Sequence, residues 1–411
     1  MSLFQQPEWR PEVEVLLSCA RTRMDSDSAQ RLTHALRKQI DWGFLLGESV
    51  RHGIAPLLFR NLSRTSGGAI PEATLTQLRT AAGSIACRNL SLTGELLTLL
   101  KLFAAVGIRA LPIKGPVLGL AAYGDLSLRP FTDLDVLMPR QDIHKAKDVL
   151  RERGYEPALQ LSSAEERVYV QAHHDYKFCR PSDRAVVEIQ WGITQWSFAF
   201  SFDFDEIWQR RKNAAIAGAA VPTLSTEDLL LALCVHGAKH RWERLKWICD
   251  IAELIACRRD SIAWNVLIAR ARTLGGERMV LLGLFLAHDL LGASLPVQVL
   301  EAIQRDSQIE SLAERVNEEL FKKRLESDEL RDERPFFYWT VRERLEDKLA
   351  IARRYFPEYL FRMIVPNDRD RAFLRLPAFL SGGYYLVRPI RLLKYYWSGA
   401  RPISGGNKPQ A

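Results

Sequence analysis

Three features that mark secreted or membrane-spanning proteins are missing from this sequence of 411 residues. The six cysteines form no CxxC pair and stand in apolar surroundings, so a disulfide framework is not expected in so long a chain. The first residues lack the basic-then-apolar pattern of a signal peptide, and no run of about 18 uncharged apolar residues exists. We therefore expect a cytoplasmic protein without a membrane-spanning helix.

Short motifs that identify several other classes of enzyme are also missing. His236 and His240 have the i, i+4 spacing of zinc ligands, but the glutamate of an HExxH motif is absent and no third ligand is evident. Together with Lys239 they share one helical face, which predicts either a partly exposed structural face or a contact to phosphate or base. No arrangement of Cys, Ser, His and Asp suggests a nucleophilic triad. For His173-His174-Asp175 two roles are open: a base for an acceptor hydroxyl, or strand residues that line a cleft or pack at its edge.

The composition is that of a folded, moderately basic protein. Hydrophobic residues make up 47% of the chain and charged residues 26%, which predicts a large buried core. The formal net charge of +8 is compatible with a phosphate-bearing substrate, a nucleic acid or an anionic membrane surface. The charge alone does not choose among these partners.

The hydrophobic pattern predicts an α+β fold, in which a small mixed β-sheet is flanked by largely helical regions. Residues 1–105 are interpreted as a helical N-terminal domain, and residues 106–220 as a compact α/β core. Residues 221–330 are predicted to form a helical domain that closes a cleft against this core. Residues 331–411 predict a basic, aromatic helical region that ends in a disordered tail.

The C-terminal region suggests a partner of its own. Arginines and lysines alternate with tyrosines, leucines and a tryptophan between Arg342 and Trp397. A basic helix with an aromatic face can lie on an anionic membrane surface, or it can pack as a terminal helix with a solvated basic face. A peripheral membrane contact is therefore left open. Nucleic acid is not expected, because no recognised RNA-binding module accompanies the basic patch.

Within the predicted core, strand-like and helical segments follow one another closely. Strands are expected at Ile108–Ile113, Phe131–Met138, Val168–Arg180 and Arg184–Trp191, and helices at Val117–Tyr123 and Ile143–Gly154. Beyond the core, Ser225 and Asp228 predict a capping box for a helix at Leu229–Lys239. A second helix is expected at Trp242–Cys257.

Three carboxylates stand on two of the expected strands. Side chains alternate along a strand, so Asp133 and Asp135 point to one face while their apolar neighbours enter the core. Glu188 alternates with apolar neighbours in the same way. If the two strands are adjacent, the three carboxylates converge, and two Mg²⁺ ions about 4 Å apart would relieve their repulsion. The alternative is an ordinary solvated strand face.

A glycine turn precedes these carboxylates. The segment Leu111-Pro-Ile-Lys114-Gly115-Pro116 lies between an expected strand and an expected helix. Glycine allows the backbone to approach a triphosphate closely, and the N-terminus of a helix favours anions. Lys114 adds a positive charge, so the turn predicts a phosphate contact.

These elements, in this order, resemble the DNA-polymerase-β nucleotidyltransferase superfamily, which has a glycine turn, two aspartates on one strand and a third carboxylate on a later strand. The similarity extends to a family of uncharacterised nucleotidyltransferases of bacterial biosynthetic clusters. It is carried, between about residues 30 and 260, by Asp41-Trp42, His52-Gly-Ile-Ala-Pro56, Leu111-Pro-Ile-Lys114-Gly115, Arg129-Pro-Phe-Thr-Asp133-Leu-Asp135, Val187-Glu188-Ile-Gln190-Trp191, His236-Gly-Ala-Lys239-His240, Leu245-Lys-Trp247 and Asp250. The sequence departs from the pattern at Pro116, where glycine or serine is usual, and at Gln190, where histidine is usual.

The resemblance implies a metal-dependent enzyme that transfers a nucleoside monophosphate from a nucleoside triphosphate, expected to be ATP. It carries over Asp133, Asp135 and Glu188 as catalytic metal ligands for two Mg²⁺ ions. The acceptor would be a hydroxyl on a small molecule, a peptide or a sugar-like compound. The alternatives are a nucleotide-binding scaffold without turnover and an antitoxin-like enzyme that modifies another protein.

The resemblance also implies contacts to the nucleotide. Lys114 and Gly115 are carried over as phosphate contacts, and Lys239 is a further candidate on the helical domain that faces the core. Arg129 is expected to reach phosphate or the carboxylates. The alternative for Arg129 is an ion pair with Asp125 that stabilises a turn.

Overall fold

The structure is a computed structural model that describes residues 9–65, 70–193, 200, 202–321 and 334–353, with a few positions between 373 and 390. The chain divides into two compact units, Met1–Lys348 and Leu349–Ala411. The helices, sheets and site below belong to the first unit. Most of the predicted basic, aromatic C-terminal region lies outside the described residues. Its membrane contact therefore stays a prediction, as do the domain boundaries expected at residues 105, 220 and 330.

The N-terminal part of the first unit is helical. Its helices are α1 (Pro11–Cys19), α2 (Ser26–Leu36), α3 (Trp42–Arg51), α4 (Ala55–Leu62) and the long α5 (Glu72–Ala105). Polar caps start two of them, because Asp25 accepts from the Ser28 amide and Asp41 accepts from the Phe44 amide. Pro56 stands in the first turn of α4, where the lack of an amide proton costs no helical hydrogen bond.

A five-stranded mixed sheet follows α5. Its strands are β1 (Leu111–Pro112), β2 (Leu134–Leu137), β3 (Glu156–Pro157), β4 (Asp175–Arg180) and β5 (Ala185–Gln190). The helices between them are α6 (Pro116–Tyr123), α7 (Ile143–Glu152) and α8 (Ser163–Ala172). The strand order is β1-β2-β5-β4-β3. β2 and β5 run parallel, and the other neighbouring pairs run antiparallel. The predicted α+β fold with a small mixed sheet is confirmed.

One face of the sheet packs into a hydrophobic core with α5 and α7. Leu134, Val136, Val187 and Ile189 point to this face and are buried there with Leu99 of α5. Because side chains alternate along a strand, the intervening residues of β2 and β5 point to the other face. That other face carries the carboxylates.

A small hairpin and further helices complete the unit. They are α9 (Phe204–Arg210), β6 (Lys212–Ile216), β7 (Ala219–Thr223), α10 (Thr226–Lys239), α11 (Leu245–Arg258), α12 (Trp264–Thr273), α13 (Glu277–Leu291), α14 (Val297–Arg305), α15 (Gln308–Phe321) and α16 (Arg334–Val341). These later helices and α1–α4 share a second hydrophobic core. Within the described ranges, no helix combines the length and apolarity needed to cross a lipid bilayer.

Several predicted boundaries are wrong for local reasons. The strand expected at Val168–Arg180 begins only at Asp175, because a capping box between Ser162 and Glu165 starts helix α8 upstream. The strand expected at Phe131–Met138 is reduced to β2, so Asp133 lies one residue before it. The β6–β7 hairpin was not expected.

The start of α11 also differs from the prediction. The helix expected at Trp242–Cys257 begins at Leu245, because Arg241 and Trp242 have positive φ angles of 52° and 58°. This turn drives the Trp242 indole into the core, where it is 0% exposed. Gly237 and Gly283 face the indole, so their missing side chains provide its space.

Gly237→Ala is expected to lower the free energy of unfolding by about 1–3 kcal/mol, as overpacking of a core does. The added Cβ would lie 2.3 Å from the Trp242 ring. The control is Gly83→Ala on α5, where a Cβ meets nothing within 4 Å. There, the higher helix propensity of alanine is expected to raise stability by about 0.5–1 kcal/mol. Urea unfolding followed by circular dichroism measures both, and equal shifts in the two variants would contradict the packing.

Candidate active site

The predicted carboxylates meet at one end of the mixed sheet. The register of the parallel strands β2 and β5 pairs Asp135 directly with Glu188. Leu134 and Val187, paired one step earlier, are buried on the opposite face. Asp133 lies just before β2 and is close enough for the charge of Asp135 to act on its carboxyl group. The structure therefore brings together the three carboxylates that the sequence singles out.

A fourth carboxylate joins this face from β4. Asp175 and Glu188 share a hydrogen bond, and this bond raises the pKa of Glu188 in addition to the larger effect of burial. Burial, followed by the charge of Asp135, also raises the pKa of Asp133. Burial opposes ionisation of Asp175, but hydrogen bonds with His174 and Glu188 lower its pKa overall. These carboxyl groups lie so close together that their mutual repulsion opposes ionisation of all of them at once.

Gln190, the residue that departs from the family pattern, lies within this cluster. Its Nε2 donates to Asp135 Oδ1 at 2.7 Å and lies 3.5 Å from Glu188 Oε2. In this arrangement, no group of three or more His, Cys, Asp or Glu side chains among the described residues is placed to hold a metal ion. The donors nevertheless fit a hard divalent cation in kind, because all are carboxylates on one face of the sheet. A cation bound through Asp135 Oδ1 would compete with the Gln190 amide for that oxygen.

The glycine turn lies beside the carboxylates. Gly115 caps α6 with φ 60° and ψ −129°, a conformation that L side chains rarely adopt. A Cβ built on Gly115 would lie 3.7 Å from the Asp133 carbonyl oxygen, so the turn and the aspartate loop are in contact. Pro116 stands in the first turn of α6, where proline fits. No side chain caps α6, which leaves amide protons of its first turn for an anion.

Two predicted phosphate contacts are lysines whose partners are imidazole rings. Lys114 Nζ lies 2.9 Å from His236 Nδ1, and Lys239 Nζ lies 3.3 Å from His174 Nε2. Burial, followed by the charge of Lys114, lowers the pKa of His236 well below its usual value, so this ring is a neutral acceptor. In the part of the chain that the structure describes, neither lysine forms a salt bridge to a carboxylate. Their charges therefore remain available to an anionic ligand.

His236 and His240, the pair with zinc-ligand spacing, pack against each other. Their ring centroids are 4.6 Å apart, and both rings contact Trp247. Burial lowers the pKa of His240 to about 3, with smaller contributions from Lys239 and Lys114. His236, His240 and Trp247 thus form a cluster of uncharged rings between α10 and α11.

The structure gives Arg129 a partner other than the two that were expected. Arg129 Nε and Nη2 donate to both oxygens of Asp250 at 2.7 and 2.8 Å, and both side chains are buried. Asp125 instead accepts from Ser127, so the expected ion pair with Asp125 is wrong. Tyr123 also donates to Asp250, at 2.8 Å. Because its guanidinium is committed to this network, we leave Arg129 out of the phosphate contacts.

A separate cavity of about 870 Å³ lies where β2 and β5 end. Met138 and Trp191 contribute to its lining, and none of the predicted site residues does. Two of its arginines, Arg210 and Arg270, both bind the buried carboxylate of Asp228. Their charge is therefore largely matched within the protein, and the cavity does not define the class of a ligand.

A small mixed sheet with a glycine turn beside paired carboxylates is the arrangement expected of a nucleotidyltransferase, and the family of the chain agrees with this class. The chain belongs to the family described as uncharacterised nucleotidyltransferase, whose model matches residues 38–292, more than half of its length. A solved structure of an antigenic nucleotidyltransferase-like protein from Paracoccidioides brasiliensis is similar at 16% identity, with a TM-score of 0.30. That match covers 56% of this chain and 93% of the other. No curated protein matches the chain.

Sequence reasoning missed three contributors to this site. For Asp175 the sequence suggested a base or a residue that lines the cleft, and not a member of the carboxylate cluster. Its contact with Glu188 depends on the pairing of β4 with β5. Asp250 is one of the residues that carry the family resemblance, but its pairing with Arg129, 121 residues away, has no local signal in the sequence. Lys246 lies in the motif Leu245-Lys-Trp247, but nothing in the local sequence pattern shows which way its side chain points.

Asp250→Asn is expected to lower the free energy of unfolding by about 3–5 kcal/mol, because it leaves the buried guanidinium of Arg129 without a counter-charge. The matched control is Glu301→Gln, which breaks an exposed pair with Arg305. That change should cost less than about 1 kcal/mol. Chemical unfolding measures both variants, and a loss below about 1 kcal/mol for Asp250→Asn would show that the pair contributes little.

Proposed function

We propose that this chain is a metal-dependent nucleotidyltransferase of the polymerase-β type. It moves a nucleoside monophosphate from a nucleoside triphosphate, expected to be ATP, to a hydroxyl of a small-molecule or peptide acceptor. The observation that carries the proposal is the parallel register that sets Asp135 beside Glu188, next to the turn at Lys114-Gly115. Family membership supports the general reaction class.

Asp133, Asp135 and Glu188 are the proposed ligands of the metal. Asp133 lies against the glycine turn, and the burial of Asp133 and Glu188 together with their repulsion from Asp135 favours a cation among the three. When bound, Mg²⁺ neutralises charge on the triphosphate and lowers the pKa of a hydroxyl. Two ions are expected by the resemblance to the superfamily.

The triphosphate is proposed to lie between the glycine turn and α10. Gly115 lets the α6 amides approach the phosphates, and Lys114 and Lys239 supply positive charge from two sides. Because both lysines are held by imidazole nitrogens, phosphate binding does not require breaking an ion pair. This charge arrangement favours a polyanionic substrate over a neutral one.

His174 is proposed to orient Lys239 within this site. Its Nδ1 lies 3.0 Å from Asp175 Oδ1 and its Nε2 accepts from Lys239. This chain of contacts joins the carboxylate face to the lysine on α10. The role of His174-Asp175 as a base for the acceptor hydroxyl stays a hypothesis beside it.

Asp135→Asn and Glu188→Gln are expected to lower metal-dependent pyrophosphate release by more than about 100-fold, as removal of a key electrostatic group does. The assay incubates the protein with each α-labelled nucleoside triphosphate, Mg²⁺ and a panel of hydroxyl acceptors. Asp148→Asn, an exposed aspartate on α7, is the control and should leave the rate unchanged.

The same assay separates the alternatives. Nucleotide binding without pyrophosphate release across the acceptor panel would support a scaffold and overturn the enzyme. Label transferred to an added protein, but not to small molecules, would support a protein-modifying enzyme. Calorimetry that detects no Mg²⁺-dependent nucleotide binding would refute the proposal as a whole.

A further inference from the structure

Lys246, in the first turn of α11, carries a partly buried positive charge that has no role in the proposed function. Its Nζ donates to the Pro130 carbonyl oxygen at 3.3 Å, three residues before Asp133. Among the described residues it forms no salt bridge with a carboxylate. The ammonium group of Lys246, like those of Lys114 and Lys239, is therefore hydrogen-bonded to a neutral acceptor.

The charge of Lys246 reaches the aspartate loop. Burial, with smaller contributions from Arg129 and Arg244, lowers the pKa of Lys246 to about 8, and the charges of Asp250 and Asp133 act against this shift. In return, Lys246 lowers the pKa of Asp133 together with Lys114. The two lysines come from different elements, α11 and the glycine turn, and both act on one carboxylate. An anion bound beside Asp133 would meet both.

The N-terminal helices hold Lys246 in place through the turn after α3. The Leu245 amide donates to His52 Nδ1 at 3.0 Å, and the Lys246 amide donates to the His52 carbonyl at 3.1 Å. No side chain at the N-cap, Arg244, satisfies the first amides of α11. His52 supplies the acceptors that these amides need, although it lies almost 200 residues away in the sequence.

The absence of a side chain at Gly53 leaves space for the side chain of Lys246. Gly53 has φ +68°, and a Cβ built there would lie 2.7 Å from Lys246 Cδ. The lysine stem therefore crosses directly over the glycine. Any other residue at position 53 would meet two costs, an unfavourable backbone conformation and a displaced lysine.

We propose that Lys246 is a substrate-contacting residue that binds the phosphates of the nucleotide, and that the His52-Gly53 turn positions it. The inference rests on the proposed function and adds the N-terminal helices to the substrate site. A lysine is suited to this role because it binds phosphate as a point charge. The structural alternative is that Lys246 only ties α11 to the loop at Pro130.

The test uses Mg²⁺-pyrophosphate as a probe, because its binding does not depend on turnover. Lys246→Met keeps most of the stem and removes the charge, and it should weaken pyrophosphate and triphosphate binding by about 10- to 100-fold, as loss of a charged hydrogen bond does. Lys246→Arg should recover part of the affinity. Titration calorimetry on the full chain gives the dissociation constants, and thermal unfolding reports whether each variant is folded.

The positioning role has a matched pair of glycine variants. Gly53→Ala keeps every atom of Lys246 but obstructs its path, so pyrophosphate binding should weaken at least about threefold, because the lysine contact is misplaced. Gly292→Ala, with φ +70° and nothing within 4 Å of its Cβ, carries similar backbone strain far from the site. It should lower thermal stability without changing affinity. If Lys246→Met does not fold, the glycine pair still tests the proposal.

The outcomes separate this inference from the proposed function. Lys246-dependent pyrophosphate binding without nucleotidyl transfer would support the phosphate contact and overturn the enzyme. Asp135-dependent transfer with unchanged affinity and KM in Lys246→Met would support the enzyme and overturn the phosphate contact. Equal affinities in Gly53→Ala and Gly292→Ala would show that the turn does not position the lysine.

Discussion

The parallel pairing of β2 with β5 is the interaction on which the site depends. It sets Asp135 opposite Glu188 and, in the same step, turns Leu134 and Val187 into the core with α5 and α7. A slip of one residue would exchange these faces, placing carboxylates in the hydrophobic core. The burial of the apolar face therefore specifies the carboxylate face, and the same register serves folding and the proposed chemistry.

Charge around that face is distributed in an unusual way. The carboxylates crowd one another, while Lys114, Lys239 and Lys246 are held by two imidazole nitrogens and a carbonyl oxygen. Arg129 and Asp250, by contrast, neutralise each other completely in the core nearby. Among the described residues, the protein thus keeps a buried structural ion pair apart from lysines and carboxylates that form no salt bridges with one another.

The helical regions are part of the same arrangement. The turn at His52-Gly53 supplies acceptors to α11, and α11 carries both Asp250 and Lys246. Trp242 lies in the core between α10 and α11, with Gly237 making room for it. A continuous series of hydrogen-bonded contacts therefore joins the N-terminal helices to the loop before Asp133.

Local pattern by itself indicated most of the helices, the glycine turn and the two aspartates, since capping, strand alternation and turn chemistry act over a few residues. It mistook the end of α8 for the start of a strand. It placed Asp133 and Asp135 on a common face, and it named Glu188 only on condition that two strands were neighbours. Tertiary structure decided that condition, and it decided that Arg129 pairs with Asp250, 121 residues away, and not with nearby Asp125. Strand order and buried ion pairs join distant segments, so their energies depend on the whole packed core and leave no periodicity in the sequence.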